Sequence, residues 1–302
     1  MITKAAVAKI IREGFRGELR EEEPLKHHVS MRTGGPAALF AVPDNVQDII
    51  TLLNCLKEEE IPWVLLGGGT NTVFMNGGYR GCVLQLGKEF AYIQKEENFI
   101  LKTGAAVPLP RVVTRTAADS LSGMECLFGI PGTVGGAVFM NAGTREGEIA
   151  DTIHEIQVFN GKDASWIPRD GIAFSYRSSN IPEDHIILGA RFKLRPSNRK
   201  EIRSKMDAQA VRRLKTQPSG VPSAGCWFRN PEGDSAGRLI DQVGMKGERF
   251  GKAQVSEIHA NFIVNLGGAN TSDVIQLAEK VREAVYSRFG IVLQEEVRII
   301  DG

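Results

Sequence analysis

The spacing of apolar positions along the chain predicts helices and strands in mixed order. Residues 46–57 carry Val46, Ile49, Ile50, Leu53 and Leu56 at helical intervals behind an Asp44-Asn45 start signal. The next apolar run, PWVLLGGGTN, stops on three glycines, as a buried strand does on entering a tight loop. Short strands are expected at 82–86 and 99–103. A helix follows Pro110, with Val112, Val113, Thr116, Ala117 and Leu121 on one face. Strands return at 153–159 and 187–194, where Leu188, Ala190, Phe192 and Leu194 alternate with their neighbours.

The composition shifts to RPSNRKE near 195–200, a plausible boundary. Beyond it, residues 200–215 read as a charged helix and 262–266 as a strand. The clearest helix is 272–289, with Ser272 as its N-cap and Val274, Leu277, Ala278, Val281 and Val285 as its apolar stripe. A last strand is expected at 297–300. Helices and strands do not alternate strictly, so α+β fits better than a doubly wound parallel sheet.

At 302 residues the chain has room for two domains. Hydrophobic residues at 42% and charged residues at 24% exclude a disordered or fibrous protein. The balance of 37 Lys+Arg against 36 Asp+Glu supplies no field for nucleic acid or an anionic membrane. Neither is expected as a partner, and any anionic ligand must be held by local groups. Lys4, Lys9, Arg12 and Arg16 interrupt what a signal peptide would need as an apolar core, and no membrane-length apolar run follows. A cytoplasmic location is therefore expected. Cys55, Cys82, Cys126 and Cys226 lie far apart, without metal-ligand spacing, so no metal site and no disulfide is expected. Burial as small hydrophobes is the ordinary expectation for them, with Cys226 set apart by its surroundings.

Glycine changes the picture. The chain holds 33, well above the roughly 7% of average usage. Two clusters stand out: Gly67-Gly68-Gly69-Thr70-Asn71, and Gly129-Ile130-Pro131-Gly132-Thr133-Val134-Gly135-Gly136-Ala137. Neither matches the dinucleotide or P-loop fingerprints. The underlying physics still applies, because glycines let consecutive N–H groups converge on an anion, with Thr70, Asn71 and Thr133 adding side-chain donors. Two such loops are expected to clamp one pyrophosphate. The apolar continuation AVFMNAG suggests a backbone laid against a large flat ligand. Tight turns alone are the alternative reading.

The strings MRTGGPA (31–37), LLGGGTN (65–71) and GIPGTVGGAVFMNAG (129–143) resemble the flavin-binding half of the UDP-N-acetylenolpyruvoylglucosamine reductases. FSYRSS (174–179), PSAGCWFRNP (222–231) and LQEEVRII (293–300) continue the likeness in family order. The resemblance implies an α+β fold: an N-terminal helical segment (1–30), a vanillyl-alcohol-oxidase-type (PCMH-like) FAD-binding domain of two subdomains (31–196), and a C-terminal α+β substrate-binding domain (200–302). FAD is expected to be non-covalent, held by Gly67, Gly68, Gly69, Thr70, Asn71, Gly129, Pro131, Gly132, Thr133, Gly135, Gly136 and Ala137, with NADPH as co-substrate. The implied reaction reduces the enolpyruvyl ether of UDP-N-acetylglucosamine enolpyruvate to UDP-N-acetylmuramate. That is a step of peptidoglycan precursor synthesis, and hence of cell-wall biogenesis, cell shape and division. A monomer is expected.

By the same resemblance, a hydride passes from flavin N5 to the β-carbon and Cys226 supplies a proton to the α-carbon. Arg177 and Glu296 stabilise the enediolate-like intermediate. The residue types suit these tasks. A guanidinium offers a fixed fork to a carboxylate at any working pH. A glutamate beside a second anion has to be protonated there, which burial would favour. The family's usual proton donor is serine, and a thiol, with an ordinary pKa of about 8.5, is a stronger acid than an alcohol and still protonated at neutral pH. Taken alone, Arg177 could be a surface arginine and Glu296 half of a solvated pair with Glu295. The alternation after Glu296 instead suggests a place on or at the start of a buried strand. The chain between Arg177 and Lys200 is too short for the substrate-covering loop that one branch of the family carries. Substrate contacts are expected from Tyr176, Lys215, Arg229 and Asn230, although Arg213 and Lys215 could equally be a solvated helix face. The alternatives are an FAD-dependent carbohydrate or alcohol oxidase on the same scaffold, and a nucleotide-sugar binder without chemistry.

Overall fold

The structure, a computed structural model, describes residues 2–302. Met1, the first residue of the expected helical segment, lies outside them. Two compact units form: Met1–Arg20, Leu39–Gly68 and Cys82–Arg212 in one, and Glu21–Ala38, Gly69–Gly81 and Arg213–Gly302 in the other.

The first unit is built on a five-stranded antiparallel sheet. Its order is Ala164–Pro168, Ile153–Phe159, Ile186–Lys193, Ile100–Gly104 and Ile93–Lys95. Ile156, Val158, Ala190 and Phe192 turn one face into a core shared with the helix Leu109–Ala118. A second core gathers Ile49, Leu52, Cys55 and Leu56 of the helix Val46–Glu58 with Cys82 and Leu84. There Trp63–Leu65 runs parallel to the strand Tyr79–Leu84, pairing Trp63 with Cys82 and Leu65 with Leu84. In the second unit an antiparallel sheet of Ser223–Cys226, Phe262–Asn265, Ala253–Val255 and Arg249–Phe250 shares its core with the helix Thr271–Phe289. Arg298–Ile300 runs parallel to Thr72–Phe74.

Several expectations are corrected. The long C-terminal helix is capped by Asn270, not Ser272. The Asn270 side chain accepts from the Asp273 amide, and Asp273 accepts in return from Asn270 N–H, completing a capping box. From Ser272 the third helical position would be Ile275, which has no group to reciprocate. The stripe of Val274, Leu277, Ala278, Val281 and Val285 is buried as expected.

The helix at 46 buries Ile49 and Leu56 as expected, together with Asp48, Leu52 and Cys55, while Val46, Ile50 and Leu53 pack against the same core only partly buried. Asp48 accepts from the amides of Asp44 and Arg16, which turns that face inward. Leu121 is not helical: the helix ends at Ala118, and Leu121 pairs with Pro196 in a short strand. Within 2–30 the α-helix is confined to Lys4–Arg12, with a short 3-10 helix at Leu25–His27, and Glu18–Pro24 is a strand. Cys55 and Cys82 are buried and their thiols are pushed up by burial. Cys126 is half-buried, with burial and then the charge of Asp151 raising it to about 11.

Candidate active site

In the first unit Gly67 and Gly68 pack against the second glycine cluster. A Cβ added at Gly67 would lie 2.9 Å from Thr133 Oγ1, and one at Gly68 would lie 2.8 Å from Gly132 Cα. The first loop is therefore glycine partly so that the second can pack on it. Gly129 (φ 78°) and Gly132 (φ 109°) hold backbone that L side chains rarely adopt. Val134 and Gly135 donate to the carbonyls of Val107 and Ala105 at 2.9 Å each. Among the described residues, the N–H groups of Gly132, Thr133 and Gly136, and those of Gly67, Gly68, Gly69, Thr70 and Asn71, donate to no backbone acceptor. At Gly136 an added Cβ would meet only Thr133 Oγ1, at 3.7 Å. Open space beside uncommitted amides fits a pyrophosphate, which supplies acceptors and negative charge together.

One part of the reading changes. The apolar run after the second cluster serves the protein core: in the helix Val134–Phe139, Val134, Ala137 and Val138 are buried among core side chains. Gly129 and Pro131 are exposed.

Arg177 lies in the same unit, at the tip of a hairpin of Phe174–Ser175 with Ser178–Ser179. Its φ of 56° is left-handed, a conformation that costs a non-glycine residue about 1–2 kcal/mol and persists where surroundings impose it. Its guanidinium stands 5.2 Å from the ring centroid of Tyr176, which is 49% exposed.

The second unit brings Cys226 and Glu296 together. The Glu296 amide donates to the Trp227 carbonyl at 2.8 Å, and the Arg229 amide donates to the Gln294 carbonyl at 2.8 Å. Residues remote in sequence thus become neighbours on adjoining segments. Asn261 fastens the thiol-bearing segment: its side chain bonds both the amide and the carbonyl of Phe228, at 2.9 and 2.7 Å. Its carbonyl accepts from Trp227 N–H at 2.8 Å. Trp227 and Phe228 are buried and Cys226 is half-buried. Gly225 (φ 81°) has nothing within 4 Å of an added Cβ.

Glu296 is half-buried and precedes the strand Arg298–Ile300, which is itself only partly covered. The expected buried strand is thus absent, because those residues pair on one side only, with Thr72–Phe74. Glu295 is no solvated partner, since it forms an ion pair with Arg282.

The substrate candidates separate. Lys215 is exposed. Asn230 Oδ1 accepts from the Ala236 amide at 3.0 Å, at the start of the helix Ala236–Gln242. Arg229 is half-buried. Arg213, read as part of a solvated helix face, is half-buried: burial lowers its guanidinium's pKa, while the charge of Cys226 opposes that shift. The side-chain amide of Asn71 donates to the Glu296 carbonyl at 3.0 Å, which commits one of its two N–H donors.

Residues 217–300 match the family model for the C-terminal domain of UDP-N-acetylenolpyruvoylglucosamine reductase, and residues 37–166 match that of an FAD binding domain. The reductase from Geobacter metallireducens is 40% identical over 292 residues, covering 96% of each chain. The reductase from Syntrophobacter fumaroxidans is 40% identical, covering 94% of this chain and 84% of its own. The chain belongs to the UDP-N-acetylenolpyruvoylglucosamine reductase family. The crystal structure of the family member from Thermus caldophilus superimposes with a TM-score of 0.82 at 37% identity, covering 94% of this chain and 98% of that one. The α+β fold with an FAD-binding domain is thereby that of the reductase family. Among the described residues no helix is long and apolar enough to cross a membrane.

Proposed function

We propose that this chain reduces the enolpyruvyl ether of UDP-N-acetylglucosamine enolpyruvate to UDP-N-acetylmuramate, with FAD as non-covalent cofactor and NADPH as reductant. It would act as a cytoplasmic monomer in peptidoglycan precursor synthesis. When bound, FAD supplies hydride chemistry between the two substrates. The uncommitted amides of 67–71, 132, 133 and 136 hold its pyrophosphate, and Gly129, Pro131, Gly135 and Ala137 shape the second loop.

The chain's own residues then handle charge and protons. Arg177 forks onto the substrate carboxylate, where negative charge grows as the β-carbon is reduced. Glu296, protonated, donates to the same carboxylate. The Cys226 thiol gives its proton to the α-carbon, leaving a thiolate that water or buffer reprotonates. Tyr176, Arg229, Asn230 and Lys215 contact the nucleotide sugar, and Arg213 joins them as a cation beside the thiol.

One observation supports the reading: the bond from Glu296 N–H to the Trp227 carbonyl, by which the segments that carry Glu296 and Cys226 adjoin in one unit. The test is NADPH oxidation by the purified yellow protein, with and without UDP-N-acetylglucosamine enolpyruvate. Consumption is expected only with the enolpyruvyl ether present, with UDP-N-acetylmuramate as product. A colourless protein that takes up no FAD, or one that oxidises sugars or alcohols with oxygen instead, would overturn the proposal.

A further inference from the structure

Each glycine-rich loop runs into an asparagine whose side chain is spent on a distant backbone carbonyl. In the first unit this is Asn141, fully buried and left-handed at φ 44°. Its Nδ2 donates to the Ser175 carbonyl at 3.0 Å, on one strand of the Arg177 hairpin. On the other strand Ser179 Oγ donates to the Phe139 carbonyl at 2.8 Å. Both strands are therefore pinned to the end of the helix Val134–Phe139, which itself begins at the second glycine loop.

In the second unit the residue is Asn71. Its Nδ2 donates to the Glu296 carbonyl at 3.0 Å, and its own carbonyl accepts from Arg298 N–H at 2.9 Å. Since the Glu296 amide is already bound to Trp227, Glu296 is held on both sides of its Cα. Ser30 extends the same wiring: its amide donates to Gly69 O at 2.9 Å, and its hydroxyl donates to Ser223 O at 2.6 Å, on the strand that ends in Cys226.

We propose that Asn71 and Asn141 are positioning residues: within the second unit Asn71 ties Glu296 to the end of the first glycine loop, and within the first unit Asn141 ties the Arg177 hairpin to the helix that follows the second. This rests on the reading of Arg177 and Glu296 as the groups that receive the substrate carboxylate. The physical argument is one of over-determination. A left-handed arginine at a two-residue turn keeps its place only while both flanking strands are tied down. A carboxyl that must meet charge developing on the substrate is ineffective when displaced by about 1 Å, an error worth on the order of a hundredfold in rate. Neither asparagine need touch a reacting atom to matter.

The test separates the two half-reactions by stopped flow in Asn71→Ala and Asn141→Gly, the latter keeping the left-handed backbone while removing the amide. Ser179→Ala serves as a milder cut of the same hairpin anchor. In Asn141→Gly and Ser179→Ala, bleaching of the bound flavin by NADPH should stay within about twofold of the parent, with flavin content per chain retained. In these and in Asn71→Ala, recovery of colour on adding UDP-N-acetylglucosamine enolpyruvate should slow about ten- to a hundredfold more than bleaching does. Asn76→Ala is the control for lost hydrogen bonding alone, since Asn76 bonds Ser272 and Thr271 in the second unit. It should lower Tm without slowing recovery. Recovery within twofold of the parent in both asparagine variants would overturn the proposal. So would a parallel loss of both half-reactions and of bound flavin, which a purely structural role would produce. Arg177→Lys and Glu296→Gln run alongside, and normal recovery in those two would instead remove the underlying reading of the site.

Discussion

Gly68 and Gly136 lie on the two facing loops, and adding one methyl group to each should have opposite consequences. At Gly68 the new Cβ would lie 2.8 Å from Gly132 Cα, 3.2 Å from Gly132 C and 3.3 Å from Thr133 N. All three are backbone atoms, and ordinary carbon contacts need about 3.5–4.0 Å, so the loops must part. Overpacking of this kind costs about 1–3 kcal/mol, offset by about 0.4–1 kcal/mol from a stiffer unfolded chain. The net loss, up to about 2.6 kcal/mol and centred near 1.3, should lower the Tm of the apoprotein by roughly 2–4 °C at the unfolding entropy of a chain this long. At Gly136 the nearest atom is Thr133 Oγ1 at 3.7 Å, an ordinary contact, and the position is helical. Gly136→Ala should therefore leave apoprotein stability unchanged, or raise it by up to about 1 kcal/mol. Its methyl group occupies the space in front of uncommitted amides, so the Kd for FAD should rise at least about tenfold, or 1.4 kcal/mol. Calorimetry of the apoproteins and titration of flavin fluorescence read the two effects separately. If Gly136→Ala bound FAD as tightly as the parent, the second loop would not hold the pyrophosphate. If Gly68→Ala left Tm unchanged, the packing account of the first loop would fail.

Three further outcomes are expected. Cys226→Ser should keep most of the turnover while Cys226→Ala loses several orders of magnitude, because a hydroxyl can still donate a proton; equal losses in product formation would point away from proton donation. Arg213→Gln and Lys215→Gln should both weaken use of the nucleotide sugar in kcat/KM, by about tenfold or more at half-buried Arg213 and by less at exposed Lys215; the reverse order in steady-state assays would show that the Arg213 guanidinium is structural. His259 is held below its ordinary pKa by burial, with the charge of Lys246 adding to the effect, and its Nδ1 accepts from the Asn261 amide at 3.2 Å. Below about pH 6.5 the unfolded chain takes up a proton that the folded one resists, so this part of the stability is present above that pH and is lost as pH falls toward the depressed folded value. Urea unfolding between pH 6.5 and 5 should show a shallower slope in His259→Gln; identical slopes would remove His259 from the account.

The parts of the fold that read cleanly from the chain are those decided by apolar period alone. Val274, Leu277, Ala278, Val281 and Val285 are buried as their spacing requires, and Ile153–Phe159 is a strand over the expected residues. The reading slipped wherever a polar group settled the matter. Asp48 rotates its helix because two amides elsewhere in the chain need its carboxylate, and Asn270 displaces Ser272 because Asp273 reciprocates. The hairpin carrying Arg177 has strands of two residues each, too short for any alternation to register. Its position is set instead by Asn141 and Ser179, through bonds between segments far apart in sequence.

The same limit governs the site. Residue types and their order pointed to Arg177, Cys226 and Glu296, but the RRLK pattern around Arg213 reads as a solvated helix face until tertiary burial changes its meaning. Glycine is the sharpest case. A missing Cβ says that something comes close, and the sequence does not distinguish what. At Gly68 it is the protein's own backbone, and at Gly136 only Thr133 Oγ1 lies within 4 Å of an added Cβ, beside amides that donate to no backbone acceptor. A surplus of glycine is therefore evidence for a ligand only at those positions where the folded chain leaves the space unfilled.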